Sequence, residues 1–245
     1  QGGATQLQAG RDVNLGTVSE SSQQAIRWDA SNWRNEASRG EVGSTVQTNG
    51  DLRITAGQDL NARGATVTSD QGMVLAEARR DINLTAAEQY QFADEAHKFK
   101  GSNGMLSSKT TTLRDTVSQT QASGTTLSGE QTYLQAGRDI SVRGSDVVST
   151  KQTVLVAERD VNIEAATESS SERHDKSEKK SGLFSGGGIA LTMGTQQQSV
   201  KDLTTRETAR ASTVGSTEGD VMIEAGRQYR QVGSDVVAPK GDVDI

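Results

Sequence analysis

Apolar and polar residues alternate along short stretches of this chain, and one such stretch keeps recurring. The sequence LQAGRDVNL at residues 7–15 returns in related form at 54–62, 78–84, 134–142, 157–163 and 223–231. Within the first copy, Leu7, Val13 and Leu15 fall on one face, whereas Asp12 points away. A period of two with Val, Ile and Leu in the repeated places predicts β-strands rather than helices.

The aspartate of the motif marks a unit of about 21 residues. It stands at Asp12, Asp59, Asp81, Asp139 and Asp160, with Gln228 in the sixth place. A catalytic group is needed once, whereas these carboxylates recur in every unit. We therefore assign the five aspartates to structural corners, where they accept hydrogen bonds from backbone amides and where the neighbouring arginines bridge between units.

Short strands, small corner residues and an inward row of branched side chains together predict an all-β fold. Fixed periods of this length are typical of solenoids, and we expect a right-handed parallel β-helix that climbs about 4.8 Å per coil. Gly64, Gly144 and Gly233 each precede a further apolar position and predict bends. We expect residues 1–245 to form a single β-helix that is a fragment of a longer protein.

Three long insertions interrupt the repeat, at about residues 16–50, 86–129 and 165–219. Unstructured loops of that length are uncommon, so we expect antiparallel β-hairpins that protrude from one side of the rod. In the first, Trp28 and Trp33 are predicted to face each other across a four-residue loop. The candidate interaction tip comprises these two residues and Leu183, Phe184, Ile189, Leu191 and Met193. The alternative is that such apolar residues pack on the rod or on each other.

Composition and charge narrow the function. The net charge is −6, and no basic stripe with aromatic residues appears, which argues against nucleic acid as a partner. The histidines are His97 and His174, too few for a zinc site without carboxylate help. The sequence contains no phosphate-binding loop, no G-x-S-x-G and no H-E-x-x-H motif, and the double glycine of the calcium-binding nonapeptide is missing. We therefore expect neither a cofactor nor a metal nor a catalytic residue.

The AGRD repeats and the stretch KKSGLFSGGGIALTMG at residues 179–194 carry a resemblance to a known family. The chain resembles the haemagglutinin-repeat region of two-partner-secreted exoproteins. These include filamentous haemagglutinins and the CdiA-type proteins of contact-dependent growth inhibition. The match is to their second repeat block. Two places depart from the family pattern: Gln228 replaces the aspartate, and the second insertion retains only Gly104, Met105 and Leu106.

The resemblance implies a segment of a large exoprotein that is exported through an outer-membrane secretion pore to the bacterial cell surface. Its implied role is to extend or present the filament and to aid delivery of a C-terminal toxin across the target outer membrane. That membrane, or a receptor in it, is then a candidate partner, and the fragment itself is expected to be a monomer. One alternative is an adhesin segment that binds host or neighbouring cells. Another is a β-helix enzyme acting on polysaccharides.

Overall fold

The computed structural model describes residues 3–102, 107–185 and 191–245, and the regular elements of these residues are all strands. In chain order they begin with Thr5–Ala9 (β1), Val13–Leu15 (β2), Thr17–Arg27 (β3), Trp33–Gly43 (β4), Thr45–Thr48 (β5), Leu52–Ala56 (β6), Leu60–Arg63 (β7), Thr66–Ser69 (β8), Met73–Ala78 (β9), Ile82–Thr85 (β10), Ala87–Ser102 (β11) and Ser108–Ser123 (β12). They continue with Thr126–Ala136 (β13), Ile140–Arg143 (β14), Asp146–Ala157 (β15), Asp160–Glu164 (β16), Ala166–Ser185 (β17), Leu191–Arg210 (β18), Thr213–Ser216 (β19), Asp220–Ala225 (β20), Gln228–Val232 (β21), Asp235–Val237 (β22) and Val243–Asp244 (β23).

The shorter strands wind into a rod with three parallel faces. The first face pairs β1, β6, β9, β13, β15, β20 and β23. The second pairs β2, β7, β10, β14, β16 and β21. The third pairs β5 and β8 with the first halves of β13 and β15, then β19 and β22. The prediction of a parallel β-helix is confirmed.

Ladders of equivalent apolar residues fill the rod. On the second face, Leu60, Ile82, Ile140 and Val161 stand directly above one another, and each is at most 1% exposed. Burying one such side chain contributes about 1.5–3 kcal/mol. The motif recurs because each coil covers the apolar face of the coil before it, so every coil needs the same branched residue at the same place.

Hairpins leave every second coil of the rod, always from the same corner. They depart after β2, β10 and β16 on the second face, and the chain returns at β5, β13 and β19 on the third. The coils between them turn that corner directly, through Gly64, Gly144 and Gly233, whose φ angles are 54°, 55° and 58°. Glycine adopts this left-handed conformation without the steric cost of a Cβ atom. The corner glycine therefore marks a coil without a hairpin.

The six hairpin strands form one continuous antiparallel sheet, in the order β3, β4, β11, β12, β17 and β18. Its continuity has a geometric cause. Neighbouring strands lie about 4.8 Å apart, so a two-stranded hairpin is about 9.6 Å wide, which equals the rise of two coils. A hairpin from every second coil therefore meets the next hairpin edge to edge. The expected antiparallel hairpins are confirmed, and their joining into one sheet is new.

The protruding strands are shorter than the predicted insertions. Residues 45–48, 126–129 and 213–216 fall inside those intervals but belong to the third face of the rod. The reason is a buried ladder, in which Val46 pairs with Val67 and Val214 pairs with Val147. One apolar residue in a Ser/Thr-rich stretch was too weak a signal to place these strands in the rod.

Candidate functional site

The hairpin sheet is the part of the molecule that extends away from the rod. Its strands lengthen from 11 residues in the first hairpin to 16 in the second and 20 in the third. At about 3.3 Å per residue, the third hairpin reaches about 65 Å from the rod. Both faces carry mainly Ser, Thr, Gln and charged residues. The sheet thus offers a large polar surface to other molecules.

Ion pairs between the rod and the hairpin sheet hold the sheet in a fixed orientation. Arg63, at the end of β7, donates from Nη2 to Oε2 of Glu41 at 2.6 Å, and the same oxygen accepts the backbone N–H of Glu88 at 2.8 Å. The bond from Arg63 lowers the pKa of Glu41. In the third hairpin, Nη2 of Arg210 donates to Oδ2 of Asp146 at 2.9 Å. Each contact ties a hairpin root to a neighbouring coil.

A buried carboxylate joins neighbouring strands within the sheet. Asp94, which is 8% exposed, accepts two bonds from Arg114 at 3.0 and 2.9 Å and one from Thr116 at 3.0 Å. These bonds hold the pKa of Asp94 below its usual value, with Arg114 the main cause. The guanidinium of Arg114 also lies 5.7 Å from the ring centre of Trp33. The bonds of Asp94 therefore lie within the second hairpin, and the contact of Arg114 with Trp33 joins that hairpin to the first.

The two tryptophans of the first hairpin do not face each other, so that prediction is wrong. Trp33 pairs with Arg27 on β3, and the loop between the strands spans five residues, 28–32. Asp29 organises the loop by accepting the backbone N–H groups of Ser31 at 2.6 Å and Asn32 at 2.9 Å. The additional loop residue shifts the register by one and sends the two indoles to opposite faces of the sheet.

Trp28 instead joins an aromatic stack on the second hairpin. Its ring centre lies 5.8 Å from that of His97, which lies 6.0 Å from that of Phe99. Trp28 and Phe99 remain 58% and 57% exposed. From the sequence alone, we consider His97 only as a possible metal ligand. The stack could not be seen without the pairing of β4 with β11.

The predicted residues of the third hairpin lie near its outer end. Leu183 and Phe184 belong to β17, and Leu191 and Met193 to β18, with Leu183 paired opposite Met193. Met193 is 80% exposed. Ile189 lies outside the residues that the structure describes. Trp28 stacks on His97, and the pairing of β11, β12, β17 and β18 aligns His97 with Val200. Val200 lies seven residues nearer the rod than Met193. The residues predicted to form one tip therefore lie in two separate places along the sheet.

The five repeated aspartates form a ladder along the rod. Oδ1 of each of the first four accepts the backbone N–H of the equivalent aspartate one coil on. Asp12 accepts from Asp59 at 3.1 Å, and Asp59 accepts from Asp81, Asp81 from Asp139 and Asp139 from Asp160 at 3.3 Å each. Arginines of the following coil add ion pairs, such as Arg80 to Asp59 at 2.9 Å. Bonds from Arg159 and Arg227 lower the pKa values of Asp139 and Asp160. The carboxylates hold successive coils together.

Among the described residues, no group of three or more histidine and acidic side chains is placed to hold a metal ion. That part of the chain also contains no helix long and apolar enough to cross a membrane.

Comparisons with known proteins agree with the repeat architecture. The family model described as hemagglutinin repeat matches residues 29–115 and 106–245. The chain is 40% identical over 210 residues to the deoxyribonuclease CdiA of Dickeya dadantii, covering 84% of this chain. It is 36% identical over 204 residues to the 16S rRNA endonuclease CdiA of Enterobacter cloacae, covering 82%. It is also 36% identical over 185 residues to a tRNA nuclease CdiA of Escherichia coli, covering 74%.

The matched region is a small part of each relative. The chain spans 6% of the length of each of these three proteins. Their names describe three different nucleolytic activities, yet all three match the same repeat-bearing chain. No solved structure matches the chain.

Proposed function

Because the chain belongs to the hemagglutinin-repeat family of CdiA-type proteins, which are secreted and displayed on the bacterial cell surface, we propose that it is a structural delivery segment. The rod extends the filament, and the hairpin sheet contacts the envelope of the target cell and aids passage of a C-terminal toxin across the target outer membrane. The parent chain is exported through an outer-membrane transporter of the two-partner type.

One observation carries this proposal: a sheet whose successive hairpins lengthen from 11 to 20 residues stands on a rod held together by ladders. Such a sheet can reach a surface about 65 Å away while the rod keeps its shape. The rod's repeated aspartates are engaged in inter-coil hydrogen bonds. This supports a mechanical rather than an enzymatic role for them.

A chimaera tests the role. The matching 210-residue segment of the Dickeya dadantii CdiA is replaced by this chain, and growth inhibition of target cells is measured. We expect inhibition comparable to that of the parent. A chimaera carrying Val161→Asp, which disrupts the rod core, serves as the matched control and should lose inhibition. Antibody labelling of the cell surface verifies that both proteins are exported. A displayed chimaera that leaves target growth unchanged would contradict the proposal.

An adhesin role is the second candidate, and the exposed aromatic stack of Trp28, His97 and Phe99 favours it. Exposed aromatic residues are enriched where proteins bind one another. Labelled chain would then bind target cells, and Trp28→Ser together with Phe99→Ser would abolish that binding. Loss of cell binding without loss of toxin delivery in the chimaera would assign the stack to adhesion alone.

A further inference from the structure

The outer end of the hairpin sheet carries a charge opposite to that of the whole chain. We define the distal end as residues 97–102 and 107–109 of the second hairpin and 176–182 and 192–197 of the third. It holds six lysines and one glutamate, a net charge of +5, so the rest of the chain carries −11. Residues 103–106 and 183–191 between these segments add no charged residue in the sequence.

Most of these lysines are available to a partner. Lys98, Lys100, Lys176, Lys179 and Lys180 are exposed. The carboxylate of Glu178 forms ion pairs with the ammonium groups of Lys109 at 3.1 Å and Lys176 at 3.4 Å. Among the residues that the structure describes, Lys100, Lys179 and Lys180 have no salt bridge, and Asp29 at the end of the first hairpin offsets part of the charge of Lys98.

The acidic remainder of the chain does not cancel the distal charge. Lys98 lies 11 residues from the root of β11, or about 35 Å from the rod, whereas charges in physiological salt are screened beyond about 8 Å. Of the carboxylates nearest this end, Asp94 pairs with Arg114 and Asp175 with Arg173 at 2.9 Å each, and Asp115 contacts His174 at 2.8 Å. Glu172 and Asp202 have no ion pair among the described residues, but they lie on the rod side of the lysines. A partner that approaches the sheet end-on therefore meets a cationic surface.

Apolar side chains share this end. Phe99 is 57% exposed between Lys98 and Lys100, and Met193 is 80% exposed on the edge strand β18. The alternation of β11 puts Phe99 on one face of the sheet and the two lysines on the other. Exposed apolar residues flanked by lysines are typical of surfaces that insert between lipid headgroups. A nucleic acid would use the cations but would gain little from Met193.

We propose that the distal end of the hairpin sheet docks end-on to bilayers that expose anionic, phosphate-bearing lipid headgroups. The lysines on both faces contact the phosphates, and Met193, which lies three residues farther from the rod than the level of Lys180, enters the headgroup layer. This inference rests on the proposed function for its biological setting, because it names the chemistry of the target surface. It does not depend on any toxin.

Vesicle binding by the 245-residue chain tests the inference. We expect the chain to sediment with vesicles of phosphatidylcholine mixed with phosphatidylglycerol, but not with phosphatidylcholine alone. Binding should weaken as salt is raised, because counterions screen the lysines. Replacing Lys98, Lys100, Lys179 and Lys180 by Gln should weaken binding by at least about tenfold, since each cation near an anionic surface contributes separately.

A second variant holds the net charge constant. Replacing Arg79, Lys151, Arg206 and Lys240 by Gln removes four exposed cations of the rod and of the inner part of the third hairpin. Both quadruple variants change the net charge from −6 to −10, so a general charge effect would weaken both equally. We expect the second variant to bind like the parent, and circular dichroism should show both to be folded.

Several results would overturn the inference: no binding to the mixed vesicles, equal binding to both kinds of vesicle, equal loss in the two quadruple variants, or tighter binding to duplex DNA than to the mixed vesicles. Its failure is separable from that of the proposed function. A chimaera that inhibits targets although the chain ignores anionic vesicles refutes only the lipid inference. Vesicle binding with an inactive, displayed chimaera refutes only the delivery role.

Discussion

Substitution of the corner glycine Gly144 by alanine should loosen the rod where the third hairpin leaves it. Gly144 has φ +55°, and a Cβ atom there would lie 2.4 Å from Cβ of Ala166, the first residue of β17. The left-handed conformation costs a non-glycine residue about 1–2 kcal/mol, and relief of the overlap costs about 1–3 kcal/mol more. Alanine also lowers the conformational entropy of the unfolded chain, which offsets about 0.4–1 kcal/mol of this loss of stability. We expect a net loss of about 1–5 kcal/mol.

Urea unfolding followed by far-ultraviolet circular dichroism measures the total loss. Coils of a solenoid interact mainly with their neighbours, so one all-or-none transition is not assured. Hydrogen exchange of the amides around Ser145 and Ala166 therefore supplies a local measurement. Gly144→Ala should accelerate exchange there and leave the first coils unchanged.

Two variants separate the causes. Gly10→Ala is the matched control, because Gly10 has no atom within 4 Å of an added Cβ and its φ is not positive. The double variant Gly144→Ala with Ala166→Gly removes the closest overlap but keeps the backbone strain and the 3.3 Å approach to Cβ of Ala86, so it should recover part of the loss. Equal destabilisation by Gly144→Ala and Gly10→Ala would refute this reasoning. A double variant no more stable than Gly144→Ala would show that the hairpin root is not the source of the strain.

The remaining predictions concern the core and the buried carboxylate. Val161→Asp should lower the free energy of unfolding by several kcal/mol, because an unpaired charge would be buried. Asn162→Asp, on the outward face, should lower it far less. Similar melting temperatures for the two variants would contradict the assigned faces. Arg114→Gln should cost about 1–3 kcal/mol, because it removes charged hydrogen bonds from Asp94, and a melt unchanged from the parent would exclude that role. The pKa values of Asp94 and Asp139 are lowered in the folded chain, so their contribution is complete above the unfolded value of about 4 and is lost as pH falls through the folded values. Melts between neutral pH and pH of about 3 should show this loss, and a flat profile would contradict it.

The rod and the site were not equally predictable. Alternating residues and the recurring Asp12-type corner are local signals, and each coil packs on neighbours with the same pattern. The strands, the stacked aspartates and the presence of three hairpins therefore follow from the sequence. The short strands at residues 45–48 and 213–216 were missed because one valine in a polar stretch is a weak signal.

The candidate site depends on pairings between segments that are distant in the sequence. Trp28 contacts His97, and Lys100 aligns with Lys179 across Thr110, contacts that no local pattern specifies. The charge reversal could have been found by counting lysines segment by segment, but its concentration at one end required the register of the sheet.

The sequence by itself determined the coil, since the inward branched residue and the small corner residue are required at every winding. Only the tertiary structure decided that three hairpins make one sheet. That outcome depends on the equality between the width of a hairpin and the rise of two coils, a relation between distances that is not encoded in any single stretch of residues.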